Sequence, residues 1–217
     1  ENGNTINGFA RGGSAYFRVG SLSAGTINIT RQAGPVNVEV GTLFANTHSG
    51  TLNISGPDKY FTFNDMVQVK GLYCDNGHTV TIGMSDYAHF TGYGPITVMA
   101  PGSKLVTDSR WRAPGSNSPL RFHFKNDILP NTTMLDVVGS TVSTDHMTPV
   151  VLSVDNTQQL SNLKTGDSVI LINGLYDTNF TPSQHSYELG ASEHIFDVSA
   201  RVNAESGKNA LYADYTL

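Results

Sequence analysis

Hydrophobic and polar positions alternate in short runs along most of this chain, and one run recurs. Gly25-Thr26-Ile27-Asn28-Ile29 reappears 25 positions later as Gly50-Thr51-Leu52-Asn53-Ile54, and His78-Thr79-Val80-Thr81-Ile82 follows 28 positions after that. A period of two places Ile27, Ile29, Leu52, Ile54, Val80 and Ile82 on one face of successive strands and the Thr and Asn residues on the other. Pro35 to Val40 and Pro95 to Met99 are further alternating strands, so each repeat holds two or more. Such a unit cannot bury its apolar face alone and must stack on its neighbours. The prediction is an all-β chain, a right-handed parallel β-helix. The competing architecture, an antiparallel sandwich, leaves the recurrence unexplained.

No window keeps apolar residues at i, i+3, i+4 and i+7 over three turns; Gln158 to Leu163 is a short, isolated candidate, so little helix is expected. Residues 100–119, with Pro101, Pro114 and Pro119, read as a Pro-rich loop excursion, because proline cannot donate to a ladder. Strands are predicted again at Leu120 to Phe124, Met134 to Val138, Val150 to Val154, Ser168 to Ile172, Ile195 to Val202 and Ala210 to Leu217. The division is 1–148 as stacked strands with that excursion and 149–217 as a stabilising C-terminal region. There Ile170, Ile172, Phe196, Val198 and Val202 supply dense packing, and Glu205, Ser206, Lys208 and Asn209 a hydrophilic end.

The 217 residues include 22 glycines, and only 14% of them are charged, well below the share in an average soluble domain. A net charge of −5 with no basic stripe argues against nucleic acid as a partner. No stretch of 18 apolar residues is present, and the first residues lack the pattern of a signal peptide, as expected of a mature or excised segment. The single cysteine, Cys74, reads as a buried small hydrophobe.

Two C-terminal runs carry a resemblance. Leu163-Lys164-Thr165-Gly166-Asp167-Ser168-Val169-Ile170-Leu171-Ile172-Asn173-Gly174 resembles the Gly-Asp, strand, turn pattern near the end of bacterial autotransporter passengers. Asn209 to Leu217 is similar to the final passenger strand before the linker to the barrel. The resemblance covers about the last 70 residues. It implies a β-helical passenger that is surface-exposed or secreted and tethered to an outer-membrane barrel rather than embedded itself. It would serve as the rigid stalk and folding nucleus of an adhesin or virulence factor, with self-association or binding to a host glycan or receptor protein as its expected contacts.

The different-class alternative is a β-helical carbohydrate-active protein, a pectate-lyase-like enzyme or a phage tailspike-type domain. Glycoside cleavage needs two carboxylates about 5–10 Å apart. Asp58, Asp65, Asp75 and Asp86 are the candidates, and their Gly, Asn or Tyr neighbours suit solvated turns better. The seven histidines form no zinc-type spacing, no Gly-x-Ser-x-Gly elbow occurs, and the scattered acids make no calcium cage, so no catalytic residue, metal or cofactor is assigned. Tyr87, Phe90 and Tyr93 around Asp86 and His89 could stack on a sugar but suit core packing better. Asn28, Asn37 and Asn53 read as outward-facing strand residues. The assigned binding candidates are Arg110, Trp111 and Arg112: an aromatic face between two guanidinium groups suits a glycan or an acidic receptor, whereas a Trp111 folded back over the core would bind nothing.

Overall fold

The computed structural model describes the backbone of residues 4–10, 15–22, 25–31, 36–45, 50–55, 66–69, 71–74, 77, 79–84, 89–107, 109–113, 115, 118–144, 148–154, 160–180, 185–187 and 196–217, and side chains for most of these from residue 71 onward. Among them there is no helix. The strands are β1 (Asn4–Ala10), β2 (Ala15–Leu22), β3 (Gly25–Arg31), β4 (Val36–Ala45), β5 (Gly50–Ser55), β6 (Met66–Val69), β7 (Leu72–Cys74), β8 (Thr79–Met84), β9 (His89–Tyr93) and β10 (Ile96–Val98). They continue with β11 (Ser103–Thr107), β12 (Trp111–Ala113), β13 (Leu120–Phe124), β14 (Thr133–Val138), β15 (Val142–Thr144), β16 (Val150–Val154), β17 (Ser168–Leu175), β18 (His185–Tyr187), β19 (Phe196–Val202) and β20 (Asn209–Tyr215).

Pairing is parallel and follows a fixed order, without closing into a barrel. One ladder runs β1-β3-β5-β8-β11-β14-β17. A second runs β2-β4-β6-β9-β12-β15 and ends on Leu175 of β17. The third starts where the far half of β4 pairs with β7, and continues through β10, β13, β16 and β18. One long strand thus becomes two sides, and from β5 to β14 each strand finds its partner three strands later, while β15 and β16 find theirs two strands later.

The predicted recurrence is realised as pairing: Gly25 faces Gly50, Ile27 faces Leu52 and Ile29 faces Ile54. The third copy is displaced. Leu52 faces Ile82 rather than Val80, a slip of two residues that keeps every side chain on its face because the strand period is two. The side chains of Ile27, Ile29, Leu52, Ile54, Val80 and Ile82, and of Asn28, Asn37 and Asn53, lie outside the described set.

Alternation builds the core in columns. Leu72, Ile96, Leu120 and Val150 are successive register partners, as are Cys74, Val98, Phe122 and Leu152, and all are essentially buried. Burying each large aliphatic or aromatic contributes about 1.5–3 kcal/mol. Cys74 sits buried in this apolar column, outside any disulfide, as expected of a small buried hydrophobe.

Residues 100–119 correct the expectation of a protruding loop, for they supply β11 and β12 to two ladders. Three prolines, Pro119 among them, are accommodated at strand entrances. Pro95, Pro119 and Pro149 precede β10, β13 and β16, and their carbonyls accept from Leu72, Ile96 and Leu120 N–H at 3.0, 3.1 and 2.9 Å. A first strand residue can lack its own donor and still serve as an acceptor. The Gln158 to Leu163 candidate is not helical where described, at residues 160–163.

The C-terminus departs from parallel pairing: β20 lies antiparallel between β17 and β19. The tight turn at residues 203–208 joining β19 to β20 is too short for a parallel crossover. Phe196, Val198, Leu211 and Ala213 close the core there, with Phe196 packed edge-on to Phe124 at 5.2 Å. Val202, expected in that core, is 59% exposed at the end of β19. Gly174 makes the corner inside β17: its φ is +124°, it is the extra residue of a bulge in β17 against β20, and an added Cβ would meet the Val137 Cβ at 2.9 Å.

Candidate functional site: polar clasps on the C-terminal cap

The densest described polar chemistry lies where the cap meets the parallel ladders. Ser168 begins β17, Arg201 and Ser199 lie two residues apart on β19, and Tyr212 and Asp214 lie two apart on β20, so the period of two gathers them on one face. Arg201 stretches over the Tyr212 ring, 3.7 Å from its centroid, to reach Asp214. Its Nη2 and Nη1 donate to the two Asp214 oxygens at 2.7 and 2.8 Å, a two-pronged pair. Nη1 also donates to Ser199 Oγ at 2.8 Å and Nη2 to Ser168 Oγ at 3.1 Å. Ser168 Oγ donates in turn to Asp214 Oδ1 at 2.6 Å.

Burial pushes the Asp214 carboxyl up, but hydrogen bonds from Arg201 and Ser168, with the Arg201 charge, outweigh it and hold the group below its ordinary 3.8. The hydrogen bond to Asp214 raises Arg201 above its usual value against the opposing effect of burial. Burial raises Tyr212, partly offset by the charge of Arg201. Because Asp214 holds its proton less readily folded than unfolded, the clasp's contribution is complete above the unfolded carboxyl's titration near 3.8 and is lost as pH falls through the lower folded value. The Asp214→Asn variant should therefore lose about 1 kcal/mol at neutral pH, modest because the pair is part-exposed. The gap in urea midpoint between it and the parent should narrow by pH 3. A gap that persists unchanged at pH 3 would show that the carboxylate charge is not the source.

A second clasp bolts the 203–208 turn to the ladders. Lys208 Nζ donates to Asp136 Oδ1 at 3.1 Å and to the Val137 carbonyl at 2.9 Å. Asn173, nearly buried in β17, donates to Asp136 Oδ1 at 3.0 Å and accepts from Asn203 and Ser206 at 3.3 and 2.9 Å. Asn203 Oδ1 accepts from the Glu205 amide, fixing the turn. These groups satisfy one another, an arrangement suited to fastening.

Of the sequence-predicted binding residues, Trp111 is wholly buried in β12, its Nε1 donating toward the Gly94 carbonyl at 3.5 Å, and so presents no stacking face. Its column is Trp111, Val142 and Leu175. Arg112 next to it is exposed, and the half-buried Arg110 lies over the ring of Tyr176, 3.5 Å from the centroid. The three residues do not share a surface, because adjacent strand residues face opposite ways. Asp58, Asp65, Asp75, Asp86 and Tyr87 lie outside the described residues, as do the side chains of His89, Phe90 and Tyr93. Among the described residues, no three His, Cys, Asp or Glu side chains converge as a metal site. His123 and Ser153, register partners on β13 and β16, are 3.0 Å apart.

The sequence reading named Lys208 and Ser206 as hydrophilic end residues but did not single out Arg201, Asp214, Asn173 or Asp136. A signal existed: Asn173-Gly174 interrupts an apolar run, and Asp136 sits between Leu135 and Val137. Compared with protein-family models, with curated proteins and with solved structures, the chain matches none.

Proposed function

We propose that this chain is a right-handed parallel β-helix from the passenger of a bacterial autotransporter, exposed at the cell surface or secreted. In this reading residues 1–148 are the rigid stalk of an adhesin or virulence factor. Residues 149–217 are the folding nucleus, and the whole is tethered to an outer-membrane barrel.

The observation that carries the reading is the combination of parallel strands returning in fixed order with an antiparallel, polar-clasped cap at the C-terminal end. A stacked architecture needs one end that is stable without a further neighbour, and a chain secreted C-terminal end first needs that end to form early and template the rest. Parallel pairing is non-local and slow to form, which makes a preformed template valuable.

The experiment is to join the chain through Leu217 to an outer-membrane translocator barrel in a Gram-negative host and to treat intact cells with protease. Display at the surface is expected, with a resistant fragment spanning residues 149–217. Retention inside the cell, or digestion of residues 149–217 as readily as 1–148, would overturn the reading.

A further inference from the structure

Arg110 and Arg112 stand two residues apart in and beside β12, and the described structure gives neither an ion pair. Arg201 and Lys208, by contrast, are each paired with a carboxylate, in a chain whose net charge is −5. Arg110 crosses β15 to lie over Tyr176, which follows β17, while Arg112 is in register with Ser143 on β15. Continuing that register one strand further brings Tyr176 into the column of Arg112 and Ser143. Tyr176 remains 51% exposed as a residue, and its backbone is pinned, with its N–H donating to the Val142 carbonyl at 2.8 Å and its carbonyl accepting from Asn209 at 3.3 Å. The aromatic partner of Arg110 is therefore Tyr176, not Trp111, and Arg112 lies in the same column of outward-facing residues as that ring.

We propose that Arg110, Arg112 and Tyr176 form a binding site for an acidic saccharide bearing carboxylate or sulfate groups. A guanidinium stacked on an aromatic ring is held in one plane, so its outer edge offers donors in a fixed fork that matches a planar or tetrahedral oxyanion. Arg112, two residues along the strand, adds a second guanidinium about 7 Å away at the backbone, a spacing suited to charges on one sugar or its neighbour. The exposed part of the tyrosine ring receives the apolar C–H face of a pyranose, a contact that an acidic peptide does not need. Asp177 is the nearest acid in sequence, and its Oδ1 is engaged by the Asn179 amide at 3.0 Å. The surface stands whether or not the chain is a secreted stalk, and its test is read on binding alone.

The test is calorimetric titration of the full chain, in low salt, with a heparin-derived hexasaccharide, with maltohexaose as its neutral counterpart and with a hexa-aspartate peptide. The hexasaccharide should bind, maltohexaose should not, and Arg110→Ala or Arg112→Ala should each weaken binding roughly ten-fold, with lysine rescuing only in part. Tyr176→Ala should weaken the hexasaccharide several-fold while Tyr176→Phe retains it, and circular dichroism should confirm that each variant keeps its fold. Absence of hexasaccharide binding, equal binding of maltohexaose, or persistence of binding in the Arg110→Ala, Arg112→Ala double variant would overturn the assignment. So would tighter binding of hexa-aspartate with no dependence on Tyr176, which would make the surface a protein-binding one.

Discussion

Trp111→Ala should destabilise the protein by about 3–5 kcal/mol, as expected for deleting a large buried aromatic from a packed core. The ring is fully buried, shares its column with Val142 and Leu175, and belongs to the main apolar cluster. Neighbouring strands are fixed on both sides by backbone pairing, so the cavity has little freedom to collapse. Urea unfolding followed by circular dichroism measures the loss, since the fluorophore is removed with the side chain. Arg112→Ala, one residue away on the solvent side, should fall within about 0.5 kcal/mol of the parent. Equal effects at the two positions would mean that β12 is not seated in the ladder as described.

Removing residues 196–217 should have a larger effect still. The deletion takes Phe196, Val198, Leu211 and Ala213 out of the core, strips both clasps and leaves β17 with an unpaired apolar edge, a template for aggregation. In the intact chain the amides of Val169 to Ile172 should exchange most slowly, and more slowly than those of Ile27 to Ile29. In the truncated chain that protection should collapse and the protein should associate at micromolar concentration. Val202→Ser provides the control, because that side chain is exposed and its loss should be close to neutral. A truncated chain that stays monomeric with protected β17 amides would remove the cap from any role in stability.

The strands were more legible than their partners. Leu120–Phe124 and Val150–Val154 coincide with the predicted runs, and the register of Gly25 on Gly50 follows from the repeat, because in stacked strands identical alternation is identical pairing. The two-residue slip at Ile82 was invisible, since an even offset leaves the alternation intact. Prolines at 101, 114 and 119 signalled a loop because donor loss was weighed without the acceptor that remains, which Pro119 uses toward Ile96. The clasps escaped for a different reason. Arg201 and Asp214 are separated along the chain, and only the reversal of β20 against β19 brings them together. No spacing rule derived from parallel stacking contains that contact.

The reversal of β20 also sets a direction on the molecule. A parallel ladder is a polymer of strands, each addition exposing an edge like the one before it, with evenly spaced, slanted hydrogen bonds ready for the next monomer. β20 presents β17 with the antiparallel pattern instead, alternating close and wide pairs, and hands β19 the same pattern. Both edges of β17 are thereby taken, by β14 on one side and β20 on the other, and no further strand can add to the ladder there. The cap is thus a chain terminator in the polymer chemist's sense: it consumes the reactive edge of β17 with a strand that runs the other way, so the parallel repeat stops there.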